Sequence, residues 1–404
     1  MRKIDLSNFQ VATSETARDI NRRIVLNLIR SQQPISRADL ARHSGLQRST
    51  VSVIIEQLIA ERWVTEGANE LTPRGRRPRF LHLNTERVGI IGVNIRPAMT
   101  TIALADLDAQ FVAQESLPTA EEPEAFIREL TPRLRKLIKL RPDLSCEGIG
   151  ISLPGRSDVA SQRLVFAPNL GWKNFDLKTP IEKATGLPVE LENAANACAL
   201  EELWFGRHTT RARNMIALTV SEGIGAGLIL NHQLVRGSTG MAGEFGHVTL
   251  VEGGLACRCG NHGCWEVYAS NSAAVRYYAQ SIAPARNGRK AAQSPGSVPT
   301  FDDVLRLAEQ NDPRALNAIH QMAKYLGQGI ASIVTGLAPD VIVVVGEVTR
   351  LWDRIAPIIQ AEVRARSFTH AATQIVPTDP GTQPRLRGTI ALVLQKHFWA
   401  PAVA

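Results

Sequence analysis

The sequence predicts an α/β protein made of a small, mainly helical N-terminal domain and a larger two-lobed body. Apolar residues recur at helical spacing near the N-terminus, within residues 16–60. From Val88 onward, short apolar strands such as VGIIGVNI and DVIVVVGEV alternate with helical segments, which is the pattern of layered α/β structure. This alternation fills two successive stretches, so the 404-residue chain is expected to hold more than one domain.

The composition indicates a globular protein with enough apolar residues for a packed core, since 44% of the residues are hydrophobic and 21% are charged. No apolar run reaches the roughly 18–20 residues of a membrane span, and the N-terminus has no apolar signal segment. We therefore expect a cytoplasmic protein that does not bind a membrane. The five cysteines are an odd number in a long chain, which argues against a disulfide framework.

The positive charge is concentrated at the N-terminus. Residues 1–83 contain 14 Lys and Arg against 8 Asp and Glu, and so carry six of the eight net positive charges. This asymmetry favours an anionic partner, nucleic acid before membrane, because no basic amphipathic anchor accompanies it. A merely solvated basic surface is the alternative.

Three helices are predicted in residues 1–83. The segment TARDINRRIVLNLIR places Ile20, Ile24 and Leu28, with Val25 and Ile29, on one stripe. SRADLARHSG and QRSTVSVIIEQLIAERW follow, separated at Gly45, and the second has apolar residues at i, i+3, i+4, i+7 and i+8. The other face of that helix carries short polar groups and an arginine that can reach base edges in a major groove. These candidate DNA-binding residues are Gln47, Arg48, Ser49, Thr50 and Ser52.

The segment after the third helix is expected to form two short strands around a basic loop, as in the wing of a MarR-like winged helix-turn-helix. Gly and Pro frame the arginines of this loop, which suits entry into a narrow minor groove. A basic linker is the alternative reading of the loop. The candidate DNA-binding residues here are Arg74, Arg76, Arg77 and Arg79.

Three cysteines and a histidine have the spacing of a metal site. Cys257, Cys259 and Cys264 lie within eight residues, and His247 precedes them by ten. Four such ligands satisfy tetrahedral Zn²⁺ and leave no position for water, so we expect a structural zinc ion that fixes the turns bearing Glu244 and Glu266. A core histidine beside free thiols is the alternative.

Several motifs identify a family resemblance. GEFGHVTL and CRCGNHGCWE, together with LPGR (153–156), APNLGW (167–172) and LENAANA (191–197), resemble the ROK family of bacterial repressors and sugar kinases. With the N-terminal domain, the whole chain is similar to the family's branch of xylose and N-acetylglucosamine repressors. The resemblance implies an actin-like (sugar-kinase or ribonuclease H-like) body over 84–404 behind a winged helix-turn-helix over 1–83. Its lobes would span about 84–205 and 206–380, and a final helix near 386–398 would pack back on the first lobe. Residues 284–300 read as an exposed loop.

The resemblance also implies that kinase chemistry has been lost. Family kinases have an Asp-x-Gly-Gly-Thr-like turn where this chain has Asn94, Arg96 and Pro97, and their catalytic Asp corresponds to Ala194. Glu347 replaces a second glycine near the C-terminal strand. The glycines of GIGAG at 223–227 remain, but they are equally explained by a tight bend between strands. We therefore expect no enzyme activity and no catalytic residues.

The sugar-binding side is expected to persist. By resemblance, Arg156, Asn193, Glu244, His247 and Glu266 would contact sugar hydroxyls, with an ordinary buried hydrogen bond as the alternative for each. The sequence thus predicts a homodimeric or larger regulator that binds a double-stranded operator and is released by a sugar or sugar derivative. A DNA-tethered sugar kinase and a constitutive DNA-binding protein whose body only dimerises are the rival hypotheses.

Overall fold

The computed structural model describes residues 13–67, 79–158, 161–207, 212–282, 299–367 and 372–399. Its first part has the predicted three helices and two wing strands. Ser36 caps the second helix, and Gly45 ends it with a positive φ of 71°, a backbone conformation that glycine adopts without strain. The elements of this part are α1 (Ser14–Gln32), β1 (Ile35–Ser36), α2 (Arg37–Ser44), α3 (Arg48–Ala60), β2 (Val64–Gly67) and β3 (Phe80–Leu83).

The buried face of α1 differs from the predicted stripe. Val25, Leu26 and Ile29 are fully buried in the core of the winged helix, whereas Ile24 is 40% exposed. Ile20, Ile24 and Leu28 instead line an apolar groove next to Phe398. The single stripe predicted from the sequence corresponds to two adjacent faces of α1. One face packs on the rest of the winged helix, and the other lies beside the C-terminal helix.

The first lobe contains a five-stranded sheet in the order β11-β7-β4-β5-β6, in which β4 pairs parallel with β7 and antiparallel with β5. A small sheet of order β10-β9-β8 adjoins it. The elements of this lobe are β4 (Val88–Ile95), β5 (Met99–Ala105), β6 (Phe111–Pro118), α4 (Pro123–Leu140), β7 (Ser145–Leu153), β8 (Arg156–Ser157), β9 (Leu164–Ala167), β10 (Trp172–Phe175), α5 (Lys178–Thr185), β11 (Val189–Asn193) and α6 (Ala194–Phe205).

The second lobe repeats this topology. Its sheet has the order β14-β13-β12-β15-β16, and β12 pairs antiparallel with β13 and parallel with β15, as β4 does with β5 and β7. All residues of the central strands β12 and β15 are buried. The elements are β12 (Met215–Val220), β13 (Ile224–Leu230), β14 (Gln233–Val235), α7 (Glu266–Ala269), α8 (Asn271–Ile282), α9 (Phe301–Glu309), α10 (Pro313–Leu337), β15 (Val341–Val345), α11 (Trp352–Arg366) and β16 (Gln374–Pro377). The last helix, α12 (Pro384–Phe398), follows this lobe in the chain.

The last helix, α12, connects the body to the winged helix. It packs on β4, β7 and α6 of the first lobe. At its C-terminal end, Phe398 contacts Trp63 of the winged helix and Trp204 of α6, with ring centroids 6.0 and 5.3 Å apart. The apolar core of the winged helix is therefore continuous with that of the body. Within the ranges described, no helix is both long and apolar enough to cross a membrane.

Candidate functional site

The predicted recognition helix, α3, has one buried face and one exposed face. Val51, Ile54, Ile55 and Leu58 are buried, as the spacing predicted. The predicted DNA-contacting residues lie at its start: Gln47, Arg48 and Ser49 are exposed, and Thr50 and Ser52 are half-buried. Val53 is 59% exposed beside them. Sequence analysis missed it because only polar residues outside the apolar stripe were considered as DNA-contacting. An exposed aliphatic group on a recognition helix suits contact with a thymine methyl.

The wing strands β2 and β3 pair antiparallel, as expected, over Val64–Gly67 and Phe80–Leu83. Arg79 directly precedes β3, and its Nη1 lies 3.1 Å from Glu66 Oε2. Its exposed guanidinium is therefore partly committed to an internal ion pair. Arg74, Arg76 and Arg77 lie outside the described residues.

His247, Cys257, Cys259 and Cys264 come together as one cluster whose ligand atoms all lie within 4.8 Å of one another. The Nδ1 atom of His247 is 3.6 Å from Cys257 Sγ, and Cys259 Sγ is 3.7 Å from Cys264 Sγ. Three sulfurs and one imidazole nitrogen are a donor set that zinc prefers. The four residues therefore fit a tetrahedral zinc ion.

The two nitrogens of His247 face opposite ways. While Nδ1 faces the cysteines, Nε2 lies 3.8 Å from Glu244 Oε2. A metal on Nδ1 would leave Nε2 to carry the proton and donate it toward Glu244. That one imidazole serves both zinc and sugar stays a prediction.

Glu244 and Glu266 approach each other on the second lobe. Glu266 Oε2 accepts a 3.0 Å hydrogen bond from the backbone N–H of Ile224. A side chain at Gly223 would come within 2.4 Å of the same oxygen and would displace the end of the carboxylate from its present position. Burial raises the pKa of the Glu244 carboxyl, and Glu266 adds to the effect, whereas His247 and Arg156 oppose it.

Arg156 and Asn193 line one narrow polar cleft from the side of the first lobe. Asn193 caps α6, because its Oδ1 accepts a 2.8 Å hydrogen bond from Asn196 N–H. Glu244, His247 and Glu266 are not among the residues that line this cleft. The five predicted ligand-binding residues thus form two groups, one on each lobe, and Arg156 acts electrostatically on Glu244 of the other group.

Arg236 is a cleft residue that sequence analysis missed. It follows β14 and forms an ion pair with the buried Glu192, with 2.8 Å between Nε and Oε2. Glu192 also accepts hydrogen bonds from Asn193 N–H and from the Asn196 amide, and so holds the start of α6 in place. No motif marks Arg236 in the sequence. It reaches the cleft because the fold places the end of β14 beside Glu192.

Three residues that depart from the kinase pattern form polar contacts in the structure: Asn94, Arg96 and Glu347. Asn94 Oδ1 accepts a 3.0 Å hydrogen bond from Ser152. Arg96 Nη2 lies 3.3 Å from Glu222 Oε1 and 3.2 Å from Glu347 Oε1, and these two contacts, the interlobe ion pairs, join the first lobe to the second. The glycines of 223–227 have a second role besides the bend: a side chain at Gly227 would collide with the backbone of Ala195 in α6, and one at Gly225 would crowd the Ala195 side chain.

Comparison with known proteins agrees with this architecture. The ROK family profile matches residues 90–396, and a winged helix-turn-helix DNA-binding profile matches residues 18–65. The xylose repressor of Bacillus spizizenii is 31% identical over 96% of this chain and 98% of its own length.

Two solved structures are also similar. A ROK family transcriptional regulator, a homologue of the Escherichia coli MLC protein, superposes with a TM-score of 0.81 at 26% identity, covering 95% of this chain and 98% of its own. A ROK glucokinase from Streptomyces griseus, in complex with glucose and AMPPNP, gives 0.66 at 29% identity over 76% of this chain and 99% of its own. The regulator matches both parts of the chain.

Proposed function

The chain belongs to the ROK family, and we propose that it is a sugar-responsive, DNA-binding transcriptional repressor. The observation that carries the proposal is the combination, within one chain, of an exposed recognition helix and a polar cleft lined by Arg156 and Asn193. The relatives that are similar over nearly the whole chain include a protein named xylose repressor and a ROK family transcriptional regulator. A protein of this kind acts on chromosomal DNA, and the proposal therefore includes a cytoplasmic location.

The mechanism is ligand-switched DNA binding. A dimer would set two copies of α3 in successive major grooves about 34–36 Å apart on a palindromic operator. Sugar binding between the lobes would change the relation of the two winged helices and weaken operator binding. A coupling free energy of about 1–3 kcal/mol suffices to change the affinity about 5–150-fold.

The five predicted ligand-binding residues, from both lobes, would supply the recognition chemistry. Glu244 and Glu266 are acceptors for pairs of hydroxyls, Asn193 and Arg156 are donors, and His247 is oriented by the cysteine cluster. Carboxylates and amides suit neutral sugars because each group can bridge neighbouring hydroxyls. Zinc, held by His247, Cys257, Cys259 and Cys264, would stabilise the turns that carry these groups.

The same proposal excludes sugar phosphorylation. Loss of a general base costs about 10²–10⁴-fold in rate, and Ala194 provides no carboxylate at the position that resembles the base. Arg96 lies in the turn that corresponds in position to the kinase phosphate loop, and Glu222 and Glu347 of the second lobe pair with it there. A coupled ADP-release assay with D-glucose and D-xylose tests this: turnover above background would favour the bifunctional kinase suggested by the ROK glucokinase relatives.

The deciding experiment is operator binding measured across a sugar panel. Duplexes selected in vitro from a random pool would provide the operator, and anisotropy would report its dissociation with D-xylose, D-glucose and N-acetylglucosamine. Release by one sugar supports the repressor.

A sugar at 100 times its Kd should also add about 2.7 kcal/mol to the free energy of unfolding. DNA binding that no sugar of a broad panel weakens, together with no thermal shift, would favour a constitutive DNA-binding protein. Light scattering would test the dimer.

A further inference from the structure

Helix α6 joins the cleft to the DNA-binding domain. Its cap, Asn193, lines the cleft, and Trp204 near its other end contacts α1 of the winged helix. The helix has 12 residues and, at about 1.5 Å per residue, is about 18 Å long. A displacement at the cleft can therefore reach the winged helix along one rigid element.

Close packing prevents α6 from moving alone. A side chain at Gly227 would come within 2.3 Å of the Ala195 carbonyl oxygen, and one at Gly388 of α12 within 1.9 Å of the Ala197 oxygen. The backbone of the first turns of α6 is thus in direct contact with β13 on one side and α12 on another. A packed interior of this kind transmits a shift instead of absorbing it.

At the far end, Arg30 of α1 contacts α6 in two ways. Its guanidinium carbon lies 4.6 Å from the centroid of the Trp204 ring, and Nη1 donates a 3.1 Å hydrogen bond to the Trp204 carbonyl oxygen. That carbonyl belongs to the last turn of α6, where backbone acceptors lack helical partners and positive charge is favoured. One side chain therefore binds both the ring and the end of the helix.

The contact is incompletely satisfied. Arg30 Nε and Trp204 Nε1 are both buried without a hydrogen-bond partner among the residues the structure describes. Burial also lowers the pKa of Arg30. Buried polar groups without partners are costly, so a small rearrangement here can change the energy of the contact appreciably.

We propose that the contact between Arg30 and Trp204 is the positioning contact through which occupation of the cleft alters the orientation of the winged helix. The inference rests on the proposed function and deepens it, since it assigns the coupling to one contact at the end of α6. Arg30 is not a sugar ligand and does not lie on α3, so its loss leaves both binding surfaces in place.

The test compares two arginines of α1 in the full-length protein. Arg30→Met removes the contact with α6, and Arg23→Met is the matched control, because Arg23 also reaches the body but donates to the Trp399 carbonyl after α12. Operator affinity is measured without and with the D-sugar that releases the wild type, and sugar affinity is measured by calorimetry without and with operator.

In the wild type, sugar should weaken operator binding by about 5–150-fold, and operator should weaken sugar binding by the same factor. Arg30→Met should bind both ligands separately while this factor falls to within about twofold of unity; Arg23→Met should keep the wild-type factor. A merely structural role for Arg30 would lower stability without changing the factor. If Arg30→Met does not fold, Trp204→Leu replaces it with the same expected loss.

An unchanged factor in the tested variant overturns the inference. So does an equal loss in Arg23→Met, which would show that the whole docking surface carries the coupling. Failure of the wild type itself to bind operator or to respond to any sugar would instead refute the proposed function.

Discussion

Arg96 and Glu222 occupy corresponding turns of the two structural repeats, between the first and second strands of each sheet, and meet at 3.3 Å. Glu347, which follows the fourth strand of the second sheet, completes the group at 3.2 Å from Arg96. Opposite charges thus join the lobes at the turn that, by the family resemblance, corresponds in position to the kinase phosphate loop. The side chains of Arg96, Glu222 and Glu347 therefore occupy the space that a kinase keeps free for the phosphates of its nucleotide.

We expect no binding of AMPPNP with Mg²⁺ to the wild-type protein by calorimetry at millimolar nucleotide. Arg96→Ala should lower the free energy of unfolding by only about 0.5–1 kcal/mol, because partly exposed ion pairs contribute little. Urea denaturation checks the second value. Arg133→Ala, which removes a pair within the first lobe, is the control. Nucleotide binding at submillimolar Kd would contradict the expectation.

Replacing Cys259 with serine should release zinc, because one of four ligands is lost. Sugar affinity should fall by about tenfold or more, since His247 would no longer be held by the metal. Metal content by mass spectrometry and sugar affinity by calorimetry provide the check. Cys146→Ser is the control, because Cys146 lies on β7, away from the cluster. Full zinc content in the Cys259 variant would refute the ligand assignment.

The stability of the protein should decrease between pH 5 and pH 8 because of Glu202. Burial raises the pKa of this carboxyl from 4.5 to about 7, so the folded state holds a proton that the unfolded state has released. The resulting stability is present below the unfolded pKa and is lost as the pH rises through about 7. Glu202→Gln should therefore stabilise the protein at pH 8 by up to about 3 kcal/mol and have little effect near pH 4.5.

Urea unfolding of Glu202→Gln at several pH values checks this expectation, with the exposed Glu129→Gln as the control. Equal stability changes at both ends of the pH range would mean that the substitution acts through packing and not through the proton.

Replacing both Arg76 and Arg77 with alanine should reduce the salt dependence of operator binding. Each phosphate contact that is lost lowers the magnitude of the slope of log K against log salt by about 0.9. Titrations at several salt concentrations measure the slope. Arg128→Ala, an exposed substitution on α4 of the body, should leave it unchanged. An unchanged slope in the wing variant would mean that the wing does not bind phosphates.

Val53→Ala should act differently from the wing substitutions. The loss of an apolar contact with a thymine methyl would reduce discrimination at one base pair by about 1 kcal/mol while the salt slope stays constant. Competition with operators substituted at single positions measures this. A uniform loss across all operators would assign Val53 to stability and not to base recognition.

The sequence predicted the parts of the site whose residues are close along the chain. The cysteine cluster was predictable because its ligands fall within residues 247–264, where spacing alone restricts their geometry. Helix α3 was predictable because its periodicity is strong. The family and the repressor function, inferred from the motifs, are confirmed by the comparisons.

Contacts between distant segments were not predictable. Arg96 is 251 residues from Glu347, and both were read only as departures from a kinase pattern, without any sign that they pair. Arg236 and Arg30 have no motif, and their partners Glu192 and Trp204 are brought to them by the fold. The exposed face of α1 was misassigned for the same reason, because a stripe of apolar residues does not reveal how many surfaces it meets.

The double use of Asn193 restricts how this protein can evolve toward other effectors. Its Oδ1 caps the first turn of α6, and the same residue lines the cleft in which we propose that the sugar binds. Mutation to a residue that cannot cap costs about 0.5–2 kcal/mol, so most substitutions that would alter sugar preference here also weaken the fold. Divergence in preference is therefore expected to accumulate at neighbours without this second duty, such as Ala194, while Asn193 remains fixed.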